Sequence, residues 1–196
     1  MATIVVSENV TLDGVIQDPT GEEGHRFGGW FSRLGGKDQE AWAKVEFDEA
    51  MGAEALLMGR RTYEWLATRW IARTGAWADR LAGLPKYVVS TTIERLDWAN
   101  STVLNGEVVP EVSRLKQRLA GEIVVNGSGR LVHTLFEHDL VDEVRLIVFP
   151  FVVGAGGRVF GDTGDPKRMR LRDTGTIGDD LAMLRYERVG PESFTS

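Results

Sequence analysis

Two apolar, β-type runs in this chain break at a glycine and pass straight into a helical pattern. They are Leu56-Leu57-Met58-Gly59-Arg60-Arg61-Thr62 and Val124-Val125-Asn126-Gly127-Ser128-Gly129-Arg130-Leu131. No other feature limits the fold as strongly. A strand that feeds a helix cannot close a tight hairpin, so its next strand returns parallel, through a crossover. Parallel strands are covered on both faces, and they read as continuous apolar runs rather than alternating ones.

The remaining segments fit around these two units. Residues 2–8 read as an opening strand, followed by a turn at Leu12-Asp13-Gly14. Residues 17–37 form a long loop containing Gly28-Gly29-Trp30-Phe31. A loop of this length is either a functional lid or a solvated connector anchored by its Trp. Asp38 caps a helix that runs to Met51 and ends at Gly52. Strands follow at Ala55–Met58, Lys86–Ser90 and Thr102–Leu104, with helical stretches from Thr62 to Leu66 and over 75–82. A helix spans Pro110–Leu119 with proline in its first turn, where a missing N–H costs nothing. Strand Glu122–Asn126, helix Leu131–Glu137 and strand Glu143–Val148 come next, and Arg168–Thr174 and Leu181–Arg188 close an antiparallel pair. The order implies an α/β fold: one domain over residues 1–190, with a twisted, mainly parallel sheet flanked by helices and a C-terminal antiparallel hairpin. Residues 191–196 read as a tail.

Composition removes several function classes. The 196 residues include no cysteine, which excludes disulfides, thiolate catalysis and cysteine-bound zinc. The net charge of -6 speaks against a nucleic-acid partner. Neither a basic, apolar leader nor a run of 18 apolar residues is present, so a cytoplasmic location without membrane contact is expected. His25, His133 and His138 make no metal-binding pattern, and no metal is expected.

The two glycine turns carry the chemistry. Gly59 lets a ligand approach the backbone, and the helix after it presents unpaired N–H groups and its dipole to an anion. Arg60 and Arg61 add forks suited to phosphate, and Thr62 adds a hydroxyl. The plainer reading is an ordinary β-to-α turn with solvated arginines. Gly127-Ser128-Gly129, continued by Arg130 and Leu131, repeats the design, against the plainer reading of tight strand–helix packing. The strand Tyr87-Val88-Val89 ends in Ser90-Thr91-Thr92, three hydroxyls at a carboxyl end where α/β sheets bind ligands. Together these ends imply a phosphorylated dinucleotide, and the arginine pair beside hydroxyls favours NADP over NAD.

Four stretches, in this order, carry a resemblance to a known family. They are Thr11-Leu12-Asp13-Gly14; Met58-Gly59-Arg60-Arg61-Thr62-Tyr63-Glu64; Val89-Ser90-Thr91; and Val125-Asn126-Gly127-Ser128-Gly129 with Leu140-Val141-Asp142-Glu143 and the Phe149-Pro150 loop to Gly154. The chain resembles the dihydrofolate reductase fold, and within it the reductase domain of riboflavin biosynthesis. The resemblance implies NADPH held by Gly59, Arg60, Arg61 and Thr62, by Ser90 and Thr91 at the 2′-phosphate, and by Gly127 to Leu131 at the pyrophosphate. It implies Asp13 beside the nicotinamide and a small heterocyclic substrate, and it makes a homodimer plausible. Ala43 stands where folate reductases carry an acid, if Phe47 is the aromatic that follows the substrate. Asn126 stands where riboflavin reductases carry a glutamate.

Hydride transfer needs placement and a proton donor near the accepting atom. The candidates are Asp13 and, on the first helix, Glu46, Asp48 and Glu49; helical spacing puts Glu46 and Glu49 on one face beside Trp42. Trp30 and Phe47 are candidate stacking faces for a flat substrate, though aromatic residues more often fill cores. Three functions remain open: a reductase of the riboflavin-pathway type, a folate or pteridine reductase, and a nucleotide-binding protein without catalysis.

Overall fold

A computed structural model describes residues 1–161 and 164–190. Eight strands form one sheet: β1 (Thr3–Thr11), β2 (Ala55–Gly59), β3 (Lys86–Val89), β4 (Ser101–Leu104), β5 (Glu122–Asn126), β6 (Glu143–Phe149), β7 (Met169–Ile177) and β8 (Leu181–Arg188). Their spatial order is β4-β3-β2-β5-β1-β6-β8-β7. The six strands from β4 to β6 run parallel, and β8 and β7 add an antiparallel edge. The helices are α1 (Gly36–Gly52), α2 (Arg60–Trp70), α3 (Ala76–Gly83), α4 (Val108–Arg118) and α5 (Gly129–Glu137). This is the mainly parallel α/β sheet with a C-terminal hairpin that the order of segments implies. The proposed tail, 191–196, lies outside the described residues.

Both faces of the sheet are covered, as continuous apolar strands require. Ile4, Val6, Ile123 and Val125 pack against Val112 and Leu115 of α4 and Val132 and Leu135 of α5. Val5, Leu56, Met58 and Val124 turn the other way, onto Tyr63 and Ala67 of α2 and Leu81 of α3. Each such side chain contributes about 1.5–3 kcal/mol on burial.

Three local expectations change. Asp38 does not cap α1. The cap position is Gly35, and Asp38 lies buried in the first turn. Its Oδ1 instead accepts the Asp179 N–H at 2.6 Å, which fastens α1 to the β7–β8 turn. Gly178 in that turn has φ 63°, and a Cβ there would strike Asp38. Helix α2 starts at Arg60, two residues before Thr62, and continues to Trp70. Pro110 is the third residue of α4, still within the turn whose N–H groups lack helical partners.

The long loop after β1 is organised rather than loose. Asp18 is 2% exposed and accepts the N–H groups of Glu23 at 3.0 Å and His25 at 2.9 Å. Glu22 holds the loop onto α2, where it meets Arg69 and the Trp65 indole N–H. Trp30 is 1% exposed and packs edge-on against Phe149, with its indole N–H on the Gln17 carbonyl at 3.3 Å. It is therefore a core residue, and the reading of Trp30 as a stacking face for substrate is corrected. Among the described residues no helix is long and apolar enough to cross a membrane.

Candidate functional site

The chain reverses its direction of travel across the sheet around β1. One crossover leaves β1 for β2, and α5 carries the chain from β5 past β1 to β6. At such a point the carboxyl ends of neighbouring strands open a crevice. The ends that gather there are Gly59 of β2, Asn126 of β5, Thr11 of β1 and, one strand further, Val89 of β3.

The two glycine turns are fastened together. The Gly59 N–H donates to Ser128 Oγ at 2.9 Å, and the Ser128 hydroxyl donates to Thr62 Oγ1 at 2.8 Å. Ser128 achieves this in a left-handed conformation, φ 60°, which a side chain rarely adopts. Gly127, also at φ 60°, brings its backbone against Thr62, where a Cβ would lie 3.1 Å from Oγ1. Ser128 and Thr62, both expected at phosphate, thus spend their hydroxyls on each other.

What remains for an anion is backbone. Neither α2 nor α5 has a side-chain cap at its N-terminus, and both termini start from this junction. The α5 end is narrowed by Leu131, whose N–H bonds to the Ser128 carbonyl at 2.8 Å while its side chain is 7% exposed in the core. Leu131 is therefore a packing residue, which corrects its placement among ligand contacts. Gly129 and the exposed Arg130 stay at the turn.

The arginine pair divides. Arg60 reaches back to Glu64 at 3.1 Å, an exposed pair one turn apart. Arg61 lines an open cleft of about 600 Å³ with Gln17, Glu23, His25, Glu64 and Trp65, between the long loop and α2. At the end of β3, Ser90 Oγ accepts the N–H groups of Thr92 at 3.2 Å and Ile93 at 3.0 Å, while Thr91 is exposed. Thr91 is the freer of the two expected hydroxyls.

Beside this junction lies a group of acids. Glu46 and Glu49 extend from α1 toward β1, as their spacing anticipates. Trp42 donates its indole N–H to Asn9 Oδ1 at 2.8 Å, and Asn9 Nδ2 donates to Glu46 Oε1 at 3.4 Å. Burial, reinforced by the Glu49 charge, pushes the Glu46 carboxyl up to about 8. Glu49 is raised too, chiefly by burial and against the pull of Arg145, which it meets at 3.1 Å. Arg145 also binds Glu122 at 2.7 Å and Glu143 at 2.5 Å, so its charge is fully engaged. Glu8, on β1 and 5% exposed, is the third acid. Ala43 and Glu46 lie one turn apart on the same side of α1.

Asp13 has the opposite environment. Its carboxylate accepts the Thr11 hydroxyl at 2.7 Å and the N–H groups of Val153 at 3.1 Å and Gly154 at 2.8 Å. These donors, the Thr11 hydroxyl first, lower it to about 2. Asp13 clamps the loop after β6 to the end of β1. Phe47 packs edge-on against Trp77 of α3 at 6.2 Å, beside Trp42 and Trp70. It belongs to an aromatic wall between α1 and α3 and does not share the Trp42–Asn9–Glu46 chain of hydrogen bonds.

Sequence reasoning passed over Glu8, Asn9 and the cross-linking role of Ser128. The first two had a signal: Ser7-Glu8-Asn9 is a polar interruption inside a β-branched strand that must be buried. The third had none, because a left-handed serine cannot be told from a flexible one by residue type.

The model of the RibD C-terminal domain matches residues 2–183. The chain belongs to the RibD C-terminal domain family. YwjB of Bacillus subtilis (strain 168) is 24% identical over 179 residues, which is 91% of this chain and 94% of that protein. Among solved structures, a Shewanella sp. PV-4 protein attributed to riboflavin biosynthesis superposes with a TM-score of 0.70 at 18% identity, covering 96% of this chain and 99% of that one. The diaminohydroxyphosphoribosylaminopyrimidine deaminase/5-amino-6-(5-phosphoribosylamino)uracil reductase of Thermotoga maritima gives 0.63 at 14% identity, covering 96% of this chain and 57% of that one. These likenesses establish the fold of the family. The site described above is this chain's own.

Proposed function

We propose that this RibD C-terminal domain protein is an NADPH-dependent reductase that transfers hydride to a small, flat heterocycle of the riboflavin-pathway type. The observation that carries this reading is the placement of Glu46. Burial pushes its carboxyl up to about 8, and Asn9, near the end of β1, holds it in place. The residues fit a dinucleotide. Both helix ends are uncapped, and Arg61 stands in the adjoining cleft.

In this reading the N–H groups of Arg60 to Thr62 and of Gly129 and Arg130 hold phosphate oxygens, and Arg61 and Thr91 take the outer phosphate. The cofactor, when bound, supplies the hydride. Glu46 holds a proton at neutral pH; Asn9 occupies Oε1 and leaves that proton to Oε2, from which it passes to the reduced substrate. Trp42 fixes Asn9, so the donor's orientation is set by α1 itself. Asp13 at about 2 has no proton to give at neutral pH. Its part is to hold the loop after β6 against the end of β1. The reading without catalysis rests on Ala43 and Asn126; the buried acid at Glu46, one turn from position 43, favours the catalytic reading over it.

Thermal unfolding with each nucleotide tests the cofactor. NADPH at about 100 times its Kd should stabilise the fold by about 2.7 kcal/mol, and NADH by clearly less. Equal shifts, or none, would overturn the proposal. Loss of NADPH absorbance across a panel of pyrimidines, pteridines and folates then separates the substrate classes.

A further inference from the structure

Glu8 stands where a carboxyl is least expected. It lies near the end of β1 at 5% exposure and accepts the backbone N–H of Gly127, in the second glycine turn. Its Oε1 has no hydrogen-bond partner. The charged groups acting on it come from α1, and both, Glu46 and Glu49, are acids. Opposite Glu8 on β6 is Leu146; the neighbouring Arg145 is in register with Ser7 and is engaged by Glu49, Glu122 and Glu143. No cation is among the groups that act on Glu8. An ionised carboxylate in such a place would be unpaired and dehydrated, and the group avoids that by keeping its proton. Burial and the two like charges accordingly raise it well above the usual carboxylate range.

The second turn is also where a phosphate is proposed to sit. A carboxylate there would hold the Gly127 N–H more strongly than a neutral acid does and would repel the incoming anion. We propose that Glu8 is held as a neutral acid beneath the second glycine turn, and that its proton is what lets an anionic phosphate settle there. The inference rests on the cofactor reading above. It adds a linkage that the reading does not require: phosphate binding and protonation of Glu8 favour each other. Affinity for NADPH therefore falls as pH rises through the titration of Glu8, and binding above that point takes up a proton.

The test is NADPH binding, followed by nucleotide fluorescence and by calorimetry, between about pH 7 and pH 9.5, above the titration of the phosphate itself. The wild-type Kd should weaken with rising pH across this range, by at most tenfold per pH unit. Heats measured in two buffers of different ionisation enthalpy should reveal proton uptake where the affinity falls. Glu8→Gln, neutral and of the same shape, should bind with an affinity that stays within about twofold across the range and should take up no proton. Glu46→Gln removes one of the two acids that raise Glu8, so its slope should persist and shift to lower pH. A flat wild-type profile, or a slope retained in Glu8→Gln, overturns this inference and leaves the cofactor reading standing. Failure of the wild type to bind NADPH at any pH overturns both. If Glu8→Gln does not fold, proton uptake by the wild type decides alone.

Discussion

Asp13 and Glu46 are carboxyl groups near the same strand end, and their environments push them in opposite directions. Asp13 lies on a loop and receives three hydrogen bonds, one from a hydroxyl and two from backbone N–H groups. Its ionised form is solvated by the protein, and it falls to about 2. Glu46 lies on a helix against the sheet, receives one long bond from Asn9, and has a like charge next to it. Its ionised form is stranded, and it rises to about 8. Residue type and approximate position make both plausible proton donors. Burial, the count of donors and the sign of the neighbouring charge separate them. A group fully ionised at neutral pH works as a clamp, and a group still protonated works as an acid.

The sharpest way to break this contrast is to neutralise Glu46. Glu46→Gln keeps shape and the bond from Asn9 but carries no transferable proton. Turnover should fall about 10²–10⁴-fold while NADPH binding stays within about twofold. Asp13→Asn should reduce turnover far less, because no proton passes through it. Equal losses in the two variants would show that the acid has been misassigned.

The two groups also predict opposite slopes of stability against pH. Glu46 has a folded value above its ordinary 4.5, so between 4.5 and about 8 the folded state binds the extra proton. Stability contributed in this way is present at low pH and is lost as pH rises through about 8, by up to a few kcal/mol. Asp13 is lowered from 3.8 to about 2, so its contribution is present above 3.8 and is lost as pH falls toward 2. Melting temperature should therefore decline from mildly acidic to mildly alkaline pH, and Glu46→Gln should flatten that decline. A variant that melts with the wild-type pH dependence would deny Glu46 its raised value.

The same contrast shows what a reader of the sequence can and cannot reach. The sheet, its crossovers and the hairpin were legible because periodicity and glycine placement are local signals: Ile123-Val124-Val125 can only be a covered strand, and Gly127 can only be a bend. The face shared by Trp42, Glu46 and Glu49 was legible for the same reason. What escaped depends on contacts across long sequence separations. Asp13 is clamped by N–H groups 140 residues away. Trp30 is buried by Phe149, on a strand whose packing partners the local pattern does not name. Ser128 bonds to Gly59, 69 residues earlier, in a conformation that its residue type argues against. Local chemistry identified the turns, and the group of acids around β1 emerged only when the strands were brought together.

Asp13 should respond more mildly than Glu46, and its response can be divided. Asp13→Asn keeps a carbonyl acceptor but loses charge assistance to three donors, which should cost about 1–2 kcal/mol of stability and loosen the loop at Val153 and Gly154. Hydrogen exchange at those two amides would report it; unchanged protection would mean that the loop is held by something else.

The smallest effect separates hydrogen bonding from simple charge pairing as the origin of Asp13's acidity. Arg158 is the cation nearest to it, 3.7 Å from Oδ2, with about half of its side chain exposed. A pair so open to water contributes about 0–1 kcal/mol. The Thr11 hydroxyl and the Val153 and Gly154 N–H groups are shorter, and they account for the lowering without Arg158. Arg158→Lys preserves the charge and gives up the guanidinium bond to the Asp13 carbonyl, whereas Arg158→Gln removes the charge. If the donors set the acidity, both variants keep a carboxyl-carbon titration for Asp13 close to 2 and differ from the wild type by less than about 1 kcal/mol. A titration that moves toward the ordinary 3.8 in Arg158→Gln, and not in Arg158→Lys, would place the cation first. Asp13 would then be half of an ion pair, and its loop would loosen with added salt, which backbone donors resist.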